Sequence, residues 1–199
     1  MANVETIFIN EIAEKTNLPF TSVMKLKTDG VLKEPEIIDT ETGQTFTSNL
    51  LIDKKSYDEF IANTAFAYVD GSFNQETNTY GYGCVIKYKD DTIELTGSGD
   101  DEDMALMRNV SGEIMGAQAA MEYCKELGVK YLYIFYDYTG IYTWAIGSWK
   151  RNKEGTKRYH EFFNKIKTAM NIDFVKVKGH SGILGNEKAD KLAKKAVGN

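Results

Sequence analysis

The stretch Tyr131-Leu132-Tyr133-Ile134-Phe135-Tyr136-Asp137 decides the fold class. Six consecutive apolar or aromatic residues without alternation are typical of a strand that is buried on both faces, as in a sheet covered by helices. On both sides of this stretch, period-2 and period-3.6 patterns of apolar residues alternate along the chain. This alternation indicates an α/β architecture with a mixed sheet.

Upstream of this strand, the pattern predicts a three-stranded antiparallel meander and then a long helix. The three strands are Ala65–Val69, Tyr80–Tyr88 and Thr92–Thr96, and the helix runs from about Gly112, after Ser111 as its cap, to Leu127. Downstream, the patterns predict helices over 139–146 and 156–170, a strand over 172–177 and a closing helix over 186–197. The order βββαβααβα predicts a five-stranded mixed sheet flanked by helices.

A domain boundary is expected at about residues 63–64, which leaves a small N-terminal module over 1–63 and a larger domain over 64–199. Within the module, Ile9–Leu32 has the outline of a helix-turn-helix. A hairpin over 37–52 and a helix over 56–63 would complete a winged-helix-like unit. Because residues 1–64 carry 6 basic and 11 acidic side chains, a net of −5, we favour docking of a protein partner over direct DNA binding.

The composition indicates a globular protein, with 42% apolar and 27% charged residues among 199. No apolar run approaches the roughly 20 residues that span a bilayer, and no secretory signal is expected at the N-terminus. Cys84 and Cys124 are too few for a disulfide framework. A cytoplasmic monomer that does not bind membranes is therefore expected.

Charge is distributed unevenly along the chain. Residues 65–139 carry 5 basic and 13 acidic side chains, a net of −8, whereas residues 140–199 carry 13 and 5, a net of +8. An acidic pocket that holds cations, beside a basic surface that holds phosphates, would give this distribution. Solvated lysines on C-terminal helices would give it equally well.

Four carboxylates lie where this architecture would bring them together. Asp70 and Asp137 each close a predicted strand, Glu113 lies in the first turn of the long helix, and Asp190 lies in the last helix. Taken singly, each has an ordinary structural explanation as a turn former, a dipole partner or a surface ion pair. Taken together, they would repel one another unless a cation lay between them, and hard oxygen ligands favour Mg²⁺ or Mn²⁺.

His180 follows a predicted strand, on a segment with glycines on both sides at Gly179 and Gly182. A histidine on such a loop suits proton transfer or product release. His160 lies on a predicted helix near Tyr159 and Phe162, where a structural or surface role is the ordinary expectation.

At these residues the sequence resembles the type 1 ribonuclease H family. The matching pieces occur in the family's order and span residues 65–196: Val69-Asp70-Gly71-Ser72, Gly81-Tyr82-Gly83, Asn109 to Glu113, Tyr136-Asp137, and Lys178-Gly179-His180-Ser181-Gly182 with Asn186-Glu187-Lys188-Ala189-Asp190. The last piece is the most specific.

The resemblance implies a ribonuclease H fold and an endonuclease that cuts the RNA strand of an RNA–DNA hybrid by two-metal-ion catalysis. It implies a metal cluster of Asp70, Glu113, Asp137 and Asp190, holding two Mg²⁺ or Mn²⁺ ions, with His180 in an auxiliary catalytic role. It also implies substrate contacts from the segments around Gly71-Ser72, Asn109 and Asn186.

The chain departs from the family pattern at two positions and in one segment. Arg108 stands where a small polar residue is frequent, which suggests a charged contact to phosphate. Tyr138 stands where a serine often follows the third carboxylate. The basic insertion of some members is shortened to about residues 148–157, where Trp149 and Lys150 would still contact a phosphate backbone or simply cover a helix connection.

Two alternatives remain open from the sequence. One is a nuclease of the same fold that acts on DNA or structured RNA, since the metal cluster would be the same. The other is a nucleic-acid-binding domain without catalysis, which the complete set of four carboxylates makes less favoured.

Overall fold

The computed structural model describes residues 4–38, 42–179 and 182–199. Contacts divide the chain into two compact units, Met1–Asn63 and Thr64–Asn199. Among the described residues, no helix has both the length and the apolar character that crossing a bilayer requires.

The N-terminal unit contains two helices joined by a short turn, with small strands around them. Its elements are β1 (Thr6–Phe8), α1 (Ile9–Thr16), α2 (Phe20–Thr28), β2 (Ile37–Ile38), β3 (Thr45–Phe46), β4 (Leu51–Asp53) and α3 (Lys54–Ala62). Asn17 makes the turn after α1 with a φ of 57°, a left-handed conformation that asparagine tolerates. Buried Ile12, Val23 and Leu26 hold the two helices together.

The predicted hairpin over 37–52 is wrong in its second half. Among the residues described in this segment, β2 and β3 alone pair with each other, whereas β4 pairs with β1 near the N-terminus. The reason is burial, since Ile7 and Ile52 lie opposite each other and are 3% and 0% exposed. A pairing between strands more than 40 residues apart leaves no local pattern in the sequence.

The larger unit is built on a five-stranded sheet with the order β7-β6-β5-β8-β9. Its strands are β5 (Thr64–Asn74), β6 (Thr79–Tyr88), β7 (Asp91–Gly99), β8 (Tyr131–Tyr136) and β9 (Asn171–Lys176). The first three pair antiparallel, and β5, β8 and β9 run parallel. The predicted mixed five-stranded sheet is therefore confirmed.

In the described part of this unit the helices are α4 (Glu102–Ala105), α5 (Asn109–Glu126), α6 (Gly140–Ala145), α7 (Glu154–Ile166) and α8 (Leu184–Ala196). Strand β8, which lies between β5 and β9, is almost completely buried, as its unbroken apolar sequence predicts. Its Leu132 and Ile134 belong to one core cluster with Met121 of α5 and Tyr159 of α7.

Two predicted boundaries near the carboxylates differ from the structure. Asp70 does not close its strand, because β5 continues to Asn74 and Asp70 lies opposite Gly83 of β6. Ser111 does not cap the long helix, because α5 already begins at Asn109 and the Ser111 hydroxyl donates to the carbonyl of Met104. Glu113 consequently lies in the second turn of α5, one turn deeper than predicted.

Candidate active site

Three of the four predicted carboxylates converge above the sheet. Asp70 of β5, Glu113 of α5 and Asp137, which directly follows β8, each offer an oxygen, and these oxygens all lie within 4.8 Å of one another. β5 and β8 are parallel neighbours, so both strands run toward the same edge of the sheet. The topology therefore brings together residues that are up to 67 positions apart in the chain.

Glycine allows α5 to lie directly on the sheet and carry Glu113 to Asp70. A Cβ at Gly71 would come within 2.1 Å of the Asn109 carbonyl oxygen and 2.5 Å of the Glu113 amide nitrogen. Similarly, a Cβ at Gly112 would meet the carbonyl oxygen of Gly81 at 2.0 Å. Backbone touches backbone here, so a side chain at either position would push the start of α5 off the strand.

The segment after β9 passes close to the third carboxylate. A Cβ at Gly179 would lie 2.7 Å from Oδ2 of Asp137. The neighbouring residue, His180, lies outside the described residues, and its auxiliary role stays a prediction.

Burial and repulsion keep Glu113 protonated in the absence of a cation. Glu113 is only 2% exposed, and its carboxylate oxygen Oε2 has no hydrogen-bond partner within the described part of the chain. Burial, and then the negative charges of Asp137 and Asp70, raise the pKa of Glu113 to about 9, although a hydrogen bond from the Tyr138 backbone opposes the shift. A divalent cation among these groups would remove the cause of the repulsion.

Asp190 lies outside the group of three and pairs with a lysine. Its Oδ2 accepts a hydrogen bond from Nζ of Lys194 at 2.7 Å. The pKa of Lys194 is raised by Asp190 first and also by Asp70, so both carboxylates lie near this ammonium group. The spacing of four residues on one helix is the sequence signal for this pair, and a surface ion pair was the ordinary structural explanation that the sequence offered for Asp190.

Glycine also sets the position of α8. A Cβ at Gly83 would meet the carbonyl oxygen of Ala189 at 2.0 Å, so the helix backbone crosses β6 at the residue that lies opposite Asp70. Asp190 is the next residue after Ala189.

The donor set fits a hard divalent cation. Carboxylate oxygens are the protein ligands that Mg²⁺ and Mn²⁺ prefer, and no thiol or imidazole lies in the group of three. Opposite ligands of an octahedral Mg²⁺ are about 4.2 Å apart. The oxygens of Asp70, Glu113 and Asp137, all within 4.8 Å of one another, are thus close to a coordinating arrangement.

The residues predicted to bind substrate near this cluster differ in exposure. Arg108 and Asn109 are exposed at the start of α5, and Arg108 adopts an unusual backbone conformation with φ 54° and ψ −130°. Ser72 is 9% exposed and accepts a hydrogen bond from Nδ2 of Asn199 at 3.3 Å. Asn186 is 4% exposed, and its Oδ1 has no partner among the described residues.

Trp149 and Lys150 lie in the connection between α6 and α7. Trp149 is 44% exposed and packs edge-on against Trp144, with ring centroids 5.9 Å apart. Lys150 and Trp144 line a cavity of about 360 Å³ together with Tyr138. The side chains in this cavity combine aromatic rings with positive charge.

His160 has the structural role that the sequence suggested. Its Nδ1 lies 2.8 Å from the carbonyl oxygen of Ala145, at the end of α6, and its Nε2 lies 2.9 Å from Nδ2 of Asn164. The imidazole thus ties α7 to the last turn of α6.

A comparison with protein families decides which fold family this site belongs to. The family model described as RNase H matches residues 62–198, which is more than half of the chain. The chain belongs to the RNase H family. The match covers every described carboxylate of the site and begins where the larger unit begins.

Curated relatives support the same assignment. A ribonuclease H of Francisella philomiragia is 32% identical over 145 residues, which cover 68% of this chain and 91% of the relative. A ribonuclease H of Francisella tularensis subsp. novicida has the same identity and coverage. The RNase H unit is thus matched over nearly the whole length of these relatives.

Solved structures share the fold. RNase H1 from the archaeon Halobacterium salinarum has a TM-score of 0.55 at 21% identity and covers 67% of this chain and 96% of its own. LC11-RNase H1, solved in complex with an RNA/DNA hybrid, has a TM-score of 0.53 at 18% identity and covers 66% of this chain and 98% of its own. At these identities the likeness shows the RNase H fold.

Proposed function

We propose that this RNase H cuts the RNA strand of RNA–DNA hybrids, as a type 1 enzyme that uses two divalent metal ions. The observation that carries the proposal is the convergence of Asp70, Glu113 and Asp137 within 4.8 Å on a domain that belongs to a metal-dependent nuclease family. A structural relative with the same fold was solved with an RNA/DNA hybrid, which supports the choice of substrate.

The three carboxylates, with Asp190 as the fourth, would hold Mg²⁺ or Mn²⁺. Bound ions would supply activation of the attacking water and stabilisation of the leaving oxygen of an in-line displacement. Asp70 lies on β5, beside the parallel strand β8 that Asp137 follows, and we assign it to holding both ions. Asp190 would become the fourth ligand once the cations replace Lys194 as the partner of its carboxylate.

Substrate contacts are proposed for the residues at the start of α5 and at the adjoining strand. Gly71 of β5 touches the Asn109 carbonyl, so these two segments form one continuous surface beside the carboxylates. Backbone and amide groups there can read the 2′-hydroxyl that distinguishes RNA from DNA. Ser72 and Asn186, which are buried, would act by holding the surrounding backbone, and His180 would assist proton transfer or product release.

Positive and aromatic groups would hold the backbone of the hybrid on either side of this surface. Arg108 lines a cavity of about 380 Å³ with Gln75 and Asn78, which suits a phosphate held by charge and amide donors. Trp149 and Lys150 would contact the nucleic acid beyond α6, since stacking rings and cations track a sugar–phosphate backbone. The net charge of +8 over residues 140–199 adds a general attraction.

The test of the proposed substrate is a cleavage assay with matched duplexes of one sequence. End-labelled RNA–DNA hybrid, single-stranded RNA, duplex RNA and duplex DNA are incubated with the full chain in Mg²⁺, Mn²⁺ or chelator. Metal-dependent cleavage confined to the RNA of the hybrid is the expected result. Cleavage of DNA or structured RNA instead would assign the protein to the alternative nuclease class, and binding without any cleavage would assign it to the non-catalytic class.

For the N-terminal unit, we propose docking of a protein partner. Its second helix, α2, presents exposed Phe20 at the end where a DNA-binding helix would contact bases. Of its lysines, Lys27 is paired with Glu34 and Lys15 with Glu11, and the segment is acidic overall. Deletion of residues 1–62 is therefore expected to leave hybrid affinity within about twofold, whereas a collapse of affinity in a folded deletion variant would assign nucleic-acid binding to this unit.

A further inference from the structure

Two backbone carbonyls in the last turn of α6 face a side chain that belongs to another helix. His160 of α7 places Nδ1 2.8 Å from the carbonyl oxygen of Ala145 and 3.1 Å from that of Trp144. The last carbonyls of an α-helix have no partner within the helix, and a histidine N–H is one of the groups that can bond them. His160 therefore caps α6 from a position 15 residues further along the chain.

Contacts on its other sides fix the orientation of the imidazole. Its Nε2 lies 2.9 Å from Nδ2 of Asn164, one turn further along α7. Carbonyl oxygens only accept hydrogen bonds, so Nδ1 carries the proton that His160 donates to them, and Nε2 accepts from the amide. Gly147, which follows α6 with a φ of 82°, lies against the ring, since a Cβ there would come within 3.0 Å of its Cε1.

The capped end of α6 carries a surface that contains both tryptophans of the chain. Trp144 lies in the last turn of α6, and its ring centroid is 5.7 Å from that of Tyr138 and 5.9 Å from that of Trp149. The connection after α6 folds back, since the backbone N–H groups of Ser148 and Trp149 donate to the carbonyl of Thr143. Because α6 has only six residues, its stability depends on contacts with other elements such as this cap.

This aromatic surface begins beside the candidate metal site. Tyr138 directly follows Asp137, one of the three converging carboxylates. Lys150 lines a cavity with Tyr138 and Trp144, and Trp149 is exposed. Exposed rings beside a positive charge can hold the bases and phosphates of a nucleic acid. Loss of the cap would thus displace groups proposed to hold the substrate, whereas the three carboxylates are carried by β5, α5 and β8.

We propose that His160 is a positioning residue for binding of the hybrid. Its Nδ1–H donates to the carbonyls of Ala145 and Trp144, and the capped helix holds Trp144 and the connection after it in the geometry that binds nucleic acid. The imidazole acts through α6 and does not touch the substrate. This inference rests on the proposed function, because it requires that the surface with Trp149 and Lys150 binds the hybrid.

The first test is cleavage kinetics of His160→Leu in the full chain, a change that keeps an apolar side chain of similar size and removes the donor. In saturating Mg²⁺ we expect KM for the hybrid to rise about fivefold or more, because one base stacked on an aromatic ring contributes at least this much to binding. The value of kcat should stay within about twofold of the wild type. His160→Asn keeps a side-chain N–H near the position of Nδ1 and should restore KM to within about twofold. Glu161→Gln, exposed on the same helix, is the matched control and should change neither constant.

Tryptophan fluorescence supplies a second measurement, independent of cleavage. Trp144 and Trp149 are the only tryptophans in the sequence, so the emission reports on this surface alone. Without substrate, the acrylamide quenching constant of His160→Leu should exceed that of the wild type, whereas His160→Asn and Glu161→Gln should match the wild type. A purely structural role would lower stability to urea without raising KM or the quenching of the folded variant.

Several outcomes would overturn the proposal. One is a folded His160→Leu variant with the KM of the wild type, whether or not its quenching rises, and another is an equal rise of KM in Glu161→Gln. If His160→Leu does not fold, Asn164→Leu decides, since it removes only the partner of Nε2: a KM raised about twofold or more at constant kcat would support the proposal, and an unchanged KM would overturn it.

The same kinetics separate the inference from the function on which it rests. A wild-type chain that cuts no hybrid would refute the proposed function. A wild-type chain that cuts hybrid, with an unaffected His160→Leu variant, would refute the positioning role alone.

Discussion

Glu113 is expected to destabilise the ion-free protein, and replacing it with glutamine tests this. Glutamine has nearly the same shape and no charge to bury. The pKa of the buried Glu113 carboxyl is raised to about 9 from its ordinary value of 4.5. Between pH 4.5 and about pH 9 the unfolded chain releases the Glu113 proton whereas the folded chain retains it. The free energy of unfolding therefore falls as the pH rises through this range.

The magnitude follows from the pKa difference. At 1.36 kcal/mol per pH unit, retaining the proton at pH 7.5 costs the folded state about 4 kcal/mol, and the cost at pH 5 is below about 1 kcal/mol. Glu113→Gln should therefore raise the free energy of unfolding in chelator by up to about 4 kcal/mol at pH 7.5 and by much less at pH 5. In saturating Mg²⁺ the difference should shrink or reverse, because only the wild type gains the full free energy of metal binding.

The assay is urea unfolding of both proteins in chelator at pH 5 and pH 7.5. Glu122→Gln is the matched control, since Glu122 is exposed on the same helix; its effect should stay within about 0.5 kcal/mol. A Glu113→Gln variant that is no more stable than the wild type at pH 7.5, or whose gain is the same at both pH values, would refute the reasoning.

Two further substitutions test the placement of the helices around the site. Gly83→Ala adds a methyl group where the Ala189 carbonyl oxygen is 2.0 Å away. It should displace α8, cost about 1–3 kcal/mol of stability as overpacking does, and lower cleavage. Gly116→Ala is the control, since its added Cβ would come no closer than 3.4 Å to a neighbouring atom, and its effect on stability should be smaller than that of Gly83→Ala. Arg108→Ala should weaken hybrid binding. It should also reduce the slope of the logarithm of the binding constant against the logarithm of the salt concentration by about 0.9, which is the contribution of one phosphate contact. An unchanged slope in binding titrations from about 50 to 200 mM salt would show that Arg108 does not contact the substrate.

Local patterns in the sequence predicted the sheet and the carboxylates for a clear physical reason. The unbroken apolar run of β8 and the alternation in β6 reflect burial, which acts residue by residue. Asp137 follows the buried strand directly, so its position could be predicted together with that of the strand. The order of strands and helices then left few topologies that would bring Asp70 and Glu113 to the same edge.

Features that depend on contacts between distant segments were missed. The pairing of β1 with β4 joins the two ends of the N-terminal unit, and the true start of α5 depends on Ser111 bonding to Met104 rather than capping the helix. Nothing local marks either contact. The ion pair between Asp190 and Lys194 has a local signal in the sequence, the spacing of four residues on one helix. The same spacing occurs in ordinary surface ion pairs, so it does not single out this one.

The most direct test of the central claim is hybrid cleavage by Asp70→Asn beside the wild type, in saturating Mg²⁺, with unfolding in chelator to confirm that both are folded. Asparagine keeps the shape of the side chain and removes the charge from one of the three carboxylates that converge at the site. We expect the rate of RNA-strand cleavage to fall about a hundred- to a thousandfold, as it does when other electrostatic groups are removed from active sites. A folded Asp70→Asn variant that cuts the hybrid at a rate near that of the wild type would contradict the account.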